Sequence, residues 1–296
     1  MLKYRLISFP LLIALGGAVF FWKQGGFYIL TVLAPAAVGL AVYETAAMAE
    51  KIRILSFPKL TGIIAGGAAL GILNLQFLLK QLDRFSLSTR IDLAVSGLAV
   101  FLLVPAVALL FRKEGILERL IGSAGILLGF GAPFLLAASC WHLRIPWLSL
   151  NPFASEGMNG LLFLIAVSKA MDTGGYIFGM LAGTFLPGGS HKIAPSISPK
   201  KSWEGFAGGL LLSVLAACCF HWWGDLKLAW CITSGVVLGV GSFFGDLTES
   251  AVKRRCGAKD SGNYIPGMGG AFDVLDSFIY NGVLVIVLVV VFYGKF

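Results

Sequence analysis

Long apolar runs set the first constraint on this chain. Stretches of roughly twenty apolar residues fall near 5–22, 26–44, 60–79, 92–111, 120–139, 158–178, 205–223, 228–244 and 277–293. A hydrocarbon core of about 30 Å is crossed by roughly 20 apolar residues in helical form, and within it each segment must satisfy its own backbone N–H and C=O groups. The runs therefore predict an all-α fold, a polytopic integral membrane helical bundle of about nine transmembrane helices. The alternating strands of about ten residues that build a membrane barrel do not occur. The first run follows Lys3 and Arg5 as in a signal sequence. It lacks a convincing small-residue cleavage site, and Trp22-Lys23 reads as an interface, so a retained helix is expected.

Basic residues orient the bundle. With the N-terminus inside, fifteen Lys and Arg fall in inner connections, among them Lys51, Lys200, Lys201, Lys253, Arg254, Arg255 and Lys259, against seven in outer ones. The excess predicts a cytoplasmic N-terminus. A net charge of +8 then has a use in attraction to anionic headgroups, and no nucleic-acid partner is expected. The five cysteines show no metal-ligand spacing, and only Cys256 lies among basic residues.

Polar chemistry is unevenly placed. Residues 1–140 read as N-terminal transmembrane helices, whose acids (Glu44 and Glu50 among them) read as solvated helix ends. Residues 141–296 read as a C-terminal transmembrane catalytic region with cytoplasmic motif loops. Gly245–Ser277 packs five acids, four basic residues and six glycines into 33 positions of a chain that is only 13% charged. Acids hold divalent ions, basic side chains hold phosphates, and glycines let backbone approach both. Asp246 and Glu249 are three apart after the eighth run, as are Asp273 and Asp276 at the start of the ninth, so two helix ends could converge on a metal cluster. Lys253, Arg254, Arg255 and Lys259 read as a lipid-facing patch or a phosphate clamp. Pro266–Gly270 is expected to be a flexible turn.

Two further segments stand out. Lys169 and Asp172 share a helical face within the sixth run, where ionisable groups default to a functional reading. The connection 179–204 reads as a long loop, followed by a helix with Ser198 as N-cap, Pro199 at its first position and Lys200 and Lys201 in its first turn, an arrangement suited to phosphate. His191 sits in that connection, where it could touch phosphate. No Walker-type G-x-x-x-x-G-K-[ST] loop is present.

At these residues the chain resembles the phosphatidate cytidylyltransferases, also called CDP-diacylglycerol synthases. Their signature S-x-x-K-R-x4-K-D-x-G-x3-P-G-H-G-G-x2-D-R-x-D is matched by Ser250, Lys253, Arg254, Lys259, Asp260, Gly262, Pro266, Gly267, Gly269, Gly270, Asp273 and Asp276. Gly245-Asp246-Leu247, Asp172–Tyr176 and Pro195–Gly205 are also similar to the family. Met268 and Val274 stand where the family has His and Arg.

The resemblance implies transfer of CMP from CTP to phosphatidate, giving CDP-diacylglycerol and pyrophosphate, with Mg²⁺ (or Mn²⁺, and a monovalent cation as a further candidate). It implies Asp246, Asp273 and Asp276 on metal. Lys200, Lys201, Lys253, Arg254 and Lys259 would meet phosphates. Asp172, Ser198, Glu204, Ser250, Asp260, Gly267, Gly269 and Gly270 would bind or orient substrate. The expected setting is a bacterial inner membrane, in contact with membrane lipids, with the active site facing the cytoplasm; a bundle this rich in small residues is open to homodimerisation. The replaced His and Arg leave, as the alternative, an inactive or substrate-shifted lipid-binding paralogue, and behind that a transporter. A transporter would show matched halves, whereas the polar material here is confined to one. CDP-alcohol phosphotransferase and prenyltransferase aspartate patterns are absent.

Overall fold

The computed structural model describes residues 14, 16–20, 22, 25–54, 56–82, 116–140, 158–224, 226–265 and 269–293. In chain order these form α1 (Gly26–Glu50), α2 (Pro58–Leu82), α3 (Ile116–Ile126), a π-helical turn (Leu127–Gly131), α4 (Ala132–Ser139), α5 (Met158–Phe185), β1 (Lys192–Ala194), β2 (Ser198–Ser202), α6 (Trp203–Gly224), α7 (Leu228–Arg255), α8 (Ala271–Leu275) and α9 (Phe278–Tyr293). Among the described residues, seven stretches are long and apolar enough to cross a membrane, and they fall on seven of the expected runs. The runs near 5–22 and 92–111 lie largely or wholly outside the described residues. The chain is an integral membrane protein built as a helical bundle. α3, the π turn and α4 make a single crossing, Glu118–Ala138; Pro133 offers no N–H to the turn before it, which suits a local widening of the helix there.

Small residues decide how the helices pack. Lipid tails are as apolar as leucine, so association in a bilayer depends on close fit. α5 lays Gly174, Gly175 and Gly179 against Gly205, Gly208 and Gly209 of α6. A Cβ on Gly205 would stand 2.7 Å from Gly175 O, and one on Gly209 would stand 2.6 Å from Met171 O. α1 and α2 meet in the same way, where a Cβ on Gly39 would stand 2.8 Å from Gly62 O.

Aromatic and polar contacts fix the interior. Phe163 packs on Trp230 with ring centroids 4.7 Å apart, and the buried Phe272 takes the ring edges of Phe130 and Phe134. The amide nitrogen of the buried Asn281 reaches Ser168 Oγ at 2.7 Å, Ser242 Oγ at 2.8 Å and Leu238 O at 3.0 Å, tying α9 to α5 and α7.

Three local expectations are corrected. α5 continues through Phe185, because nothing breaks it before Pro187 and the left-handed Gly188 and Gly189 (φ +94° and +80°). The connection to α6 is therefore shorter than expected and is mostly a hairpin, β1 pairing antiparallel with β2. Ser198 does not cap a helix: Ser198, Pro199, Lys200 and Lys201 lie in β2. α6 starts at Trp203 with Glu204 in its first turn, and Ser202 Oγ accepts the Gly205 N–H at 3.2 Å. Two lysines in a first helical turn would oppose the helix dipole; a serine cap followed by an acid favours it.

α7 likewise runs past the apolar stretch to Arg255. Nothing in 245–255 stops a helix, Lys253, Arg254 and Arg255 complement its C-terminal dipole, and Gly257 at φ +64° closes it as a left-handed C-terminal cap.

Candidate active site

The extension of α7 places Asp246, Glu249 and Lys253 on one helical face, by their spacings of three and four. Opposite them is the junction of α8 and α9, where Asp276 follows the last residue of α8. Ligand oxygens of Asp246, Glu249 and Asp276 all lie within 4.8 Å of one another. The expected convergence of two helix ends is thus present, with Glu249 as its third member. Glu249 and Asp276 are buried and Asp246 is half-buried.

Three lysines surround this cluster. Lys169 Nζ lies 2.9 Å from Asp172 Oδ2 and 3.3 Å from Asp276 Oδ1, and donates to Ser277 Oγ at 3.1 Å. Lys201 Nζ lies 3.0 Å from Asp246 Oδ2, donates to Phe243 O at 3.0 Å and rests over the Phe243 ring. Lys253 pairs with Glu249 and lies 3.0 Å from Asp273 Oδ1. Five carboxyls, Asp172, Asp246, Glu249, Asp273 and Asp276, thus meet three ammonium groups. At full ionisation two negative charges remain, the amount one divalent cation neutralises. Hard carboxylate donors at this spacing suit Mg²⁺ or Mn²⁺, so the residues fit the ion that the resemblance implies.

Asp273 stands apart from that trio. Its oxygens accept N–H groups from Gly270 at 2.8 Å and Ser261 at 3.1 Å in addition to the Lys253 contact. It braces the turn that carries the start of α8. Gly269, at φ +101°, belongs to that turn, and a Cβ there would collide with Asp273 Oδ2.

A cavity of about 590 Å³ opens beside the cluster. Asp172, Lys192, Ser198, Lys200, Lys201 and Asp246 line its polar side, and Met171, Tyr176, Met180, Phe206 and Phe243 its apolar side. Of the expected residues, the fold therefore gathers Asp172, Ser198, Lys200, Lys201 and Asp246 around one space, with Asp276 joined through Lys169. Glu204 lies instead on His191, accepting its backbone N–H at 3.2 Å and contacting its ring nitrogen, which ties the hairpin to α6. Arg254, Lys259 and Asp260 are exposed and Ser250 is half-buried, all outside the cavity lining. Gly267, with Pro266 and Met268, lies outside the described residues.

Cys256 is buried and its thiol is pushed up by burial, the opposite of what a nucleophile needs.

The residue that sequence reasoning missed is Glu44. It reads as a solvated helix end, yet it is 2% exposed and its carboxyl group faces the motif turn. Ser261 Oγ donates to Glu44 Oε2 at 2.8 Å, Phe272 N–H donates to the same oxygen at 3.0 Å, and Ala271 N–H donates to Oε1 at 3.2 Å. The available signal was an acid closing the apolar run near 26–44, six residues before α1 ends at Glu50.

The model of the "Cytidylyltransferase family" matches residues 3–292. A protein named phosphatidate cytidylyltransferase from Staphylococcus saprophyticus is 37% identical over 176 residues, covering 55% of this chain and 65% of that one. One of the same name from Staphylococcus epidermidis is 39% identical over 153 residues, covering 50% and 56%. Another, from Staphylococcus aureus, is 37% identical over the same share. The chain spans 56% to 65% of the length of these curated relatives.

Proposed function

The chain belongs to the cytidylyltransferase family, and from that premise we propose that it transfers CMP from CTP to phosphatidate, forming CDP-diacylglycerol and pyrophosphate. The observation that carries this reading is that Asp246 belongs both to the acid cluster and to the cavity wall. A reacting phosphate seated among Lys192, Lys200 and Lys201 would lie next to the carboxyls. The lining of Met171, Tyr176, Met180 and Phe206 suits the apolar part of a lipid. The names of the staphylococcal relatives support the same substrates.

The step balances without a redox partner. A phosphatidate phosphate oxygen bonds to the α-phosphorus of CTP as the bond from that phosphorus to the α–β bridging oxygen breaks, and pyrophosphate leaves with the electron pair. A phosphate monoester with a second pKa of about 6 is already anionic near neutral pH. No strong general base is then required, and Met268 is compatible with turnover. Catalysis of this kind rests on positioning and charge stabilisation. Lys192, Lys200 and Lys201 would neutralise phosphate oxygens, with Arg254 and Lys259 meeting the polyphosphate from the exposed side and Ser250 and Asp260 orienting it. Asp172, held by Lys169, would shape the cavity floor. Asp246, Glu249 and Asp276 would hold Mg²⁺ or Mn²⁺, which when bound supplies positive charge to phosphate oxygens. The site would face the cytoplasm of a bacterial inner membrane, with acyl chains entering between helices from that leaflet.

Pyrophosphate release by the purified protein in nanodiscs tests the reading. Release should require CTP and phosphatidate together. Release from CTP alone, or none with both present, contradicts it.

A further inference from the structure

Glu44 lies in α1, at the opposite end of the sequence from the motif turn it touches. Its two oxygens take the N–H groups of Ala271 and Phe272, the first two residues of α8, together with the Ser261 hydroxyl. Those N–H groups are the orphan donors of a helix start, and the Gly270 N–H just before them is taken by Asp273. α8 has no side-chain cap of its own for these donors, so a glutamate on another helix supplies it.

The surroundings are shaped to that carboxyl group. A Cβ on Gly262 or on Gly270 would collide with Glu44 oxygens. Tyr43, its neighbour on α1, packs edge-on against Tyr264 at 6.4 Å between ring centroids, and Phe272 is clamped by Phe130 and Phe134. The turn is therefore docked on the first half of the bundle at several points, with Glu44 at the centre.

What α8 carries gives this docking its consequence. The helix is five residues long; Asp273 lies within it and Asp276 follows its end. Asp273 holds Lys253, Lys253 pairs with Glu249, and Asp276 completes the trio with Asp246 and Glu249. A shift at the start of so short a helix reaches Asp276 one and a half turns later. We propose that Glu44 is a positioning residue for the acid cluster: by anchoring the start of α8 it sets where Asp273 and Asp276 stand relative to Asp246 and Glu249. Partners that orient metal-binding side chains typically contribute about 10- to 100-fold in metal affinity or activity.

This inference rests on the cluster's holding a divalent ion, and its test does not need turnover. Mn²⁺ binding to the full chain in nanodiscs, without nucleotide or phosphatidate, is followed by electron paramagnetic resonance. Glu44→Gln keeps size but replaces one acceptor oxygen with a donor facing N–H groups. It should weaken Mn²⁺ binding about tenfold. Ser261→Ala removes a single donor, leaves both backbone contacts, and should weaken binding by less than Glu44→Gln; it keeps the test decisive where Glu44→Gln does not fold. The double variant should be no weaker than Glu44→Gln alone, since both act on one contact. Glu50→Gln, on the surface pair with Arg119, should bind as the wild type does. Unchanged Mn²⁺ affinity in folded Glu44→Gln, unchanged affinity in Ser261→Ala where Glu44→Gln does not fold, or no Mn²⁺ binding by the wild type overturns the proposal. Mn²⁺ binding that responds to Glu44 in a protein that forms no CDP-diacylglycerol would leave this inference standing and sink the proposed reaction.

Discussion

Lys169 Nζ stands 3.3 Å from Asp276 Oδ1, across 107 residues of sequence, and shares its charge with Asp172 at 2.9 Å. An ammonium group inside a membrane-spanning helix thus joins the cavity to the acid cluster. Replacing it with an uncharged chain of similar length leaves Asp172 and Asp276 without this cation, with hydrogen bonds from Ser277 remaining. Lys169→Met should lower CDP-diacylglycerol synthesis by about tenfold or more. It should cost about 1–3 kcal/mol of stability, less than a fully buried pair would, because the lysine side chain is 37% exposed. Activity and thermal unfolding in one lipid preparation measure both.

The divalent-ion reading separates the acids. Asp276→Asn and Glu249→Gln remove members of the trio, whereas Asp273 already has its oxygens on Lys253 and two backbone N–H groups. Mn²⁺ affinity should fall about tenfold or more for the first two and by less for Asp273→Asn. Chelation should abolish synthesis and added Mg²⁺ should restore it. An Asp273→Asn effect larger than that of Asp276→Asn would move Asp273 into the metal set.

At the α5–α6 seam, the Cβ of Gly209→Ala would stand 2.6 Å from Met171 O. Backbone cannot yield as a side chain does, so the helices must part. Overpacking of this kind costs about 1–3 kcal/mol. The same separation widens the cavity wall that Met171, Asp172 and Gly205 share, so activity should fall with stability.

Cys256 gives the opposite expectation. Its thiol is buried and pushed above its ordinary range, so at pH 7 to 8 it stays protonated. Cys256→Ala should retain turnover at a cost of about 1 kcal/mol in stability. Maleimide treatment of the folded wild type should leave its Cys256 unlabelled by mass spectrometry.

The crossings were legible because bilayer thickness turns apolar length directly into helices. Cavity residues on α5 and β2 were legible as a group, since Asp172, Lys200 and Lys201 are charges in an apolar chain. Less visible was how far helices persist beyond their apolar runs. Asp246 to Arg255 looks like a loop by hydropathy but continues α7, because polar residues are compatible with a helix that leaves the hydrocarbon. Ser198 and Pro199 suggested a helix start, and the dipole penalty that Lys200 and Lys201 would carry there was the sign that the helix begins later, at Trp203. Glu44 was hidden for a different reason: its partners lie more than 200 residues away, and no local pattern encodes a cap supplied by another helix.

Transfer of label from CTP into lipid tests the central claim most directly. The purified chain in nanodiscs would receive phosphatidate, Mg²⁺ and CTP labelled on either the α- or the γ-phosphate, with Asp276→Asn as control. Label from the α position should appear in CDP-diacylglycerol and label from the γ position in pyrophosphate, both lost in the control. Label from the γ position in lipid, or none from the α position with folded protein, would contradict the assignment.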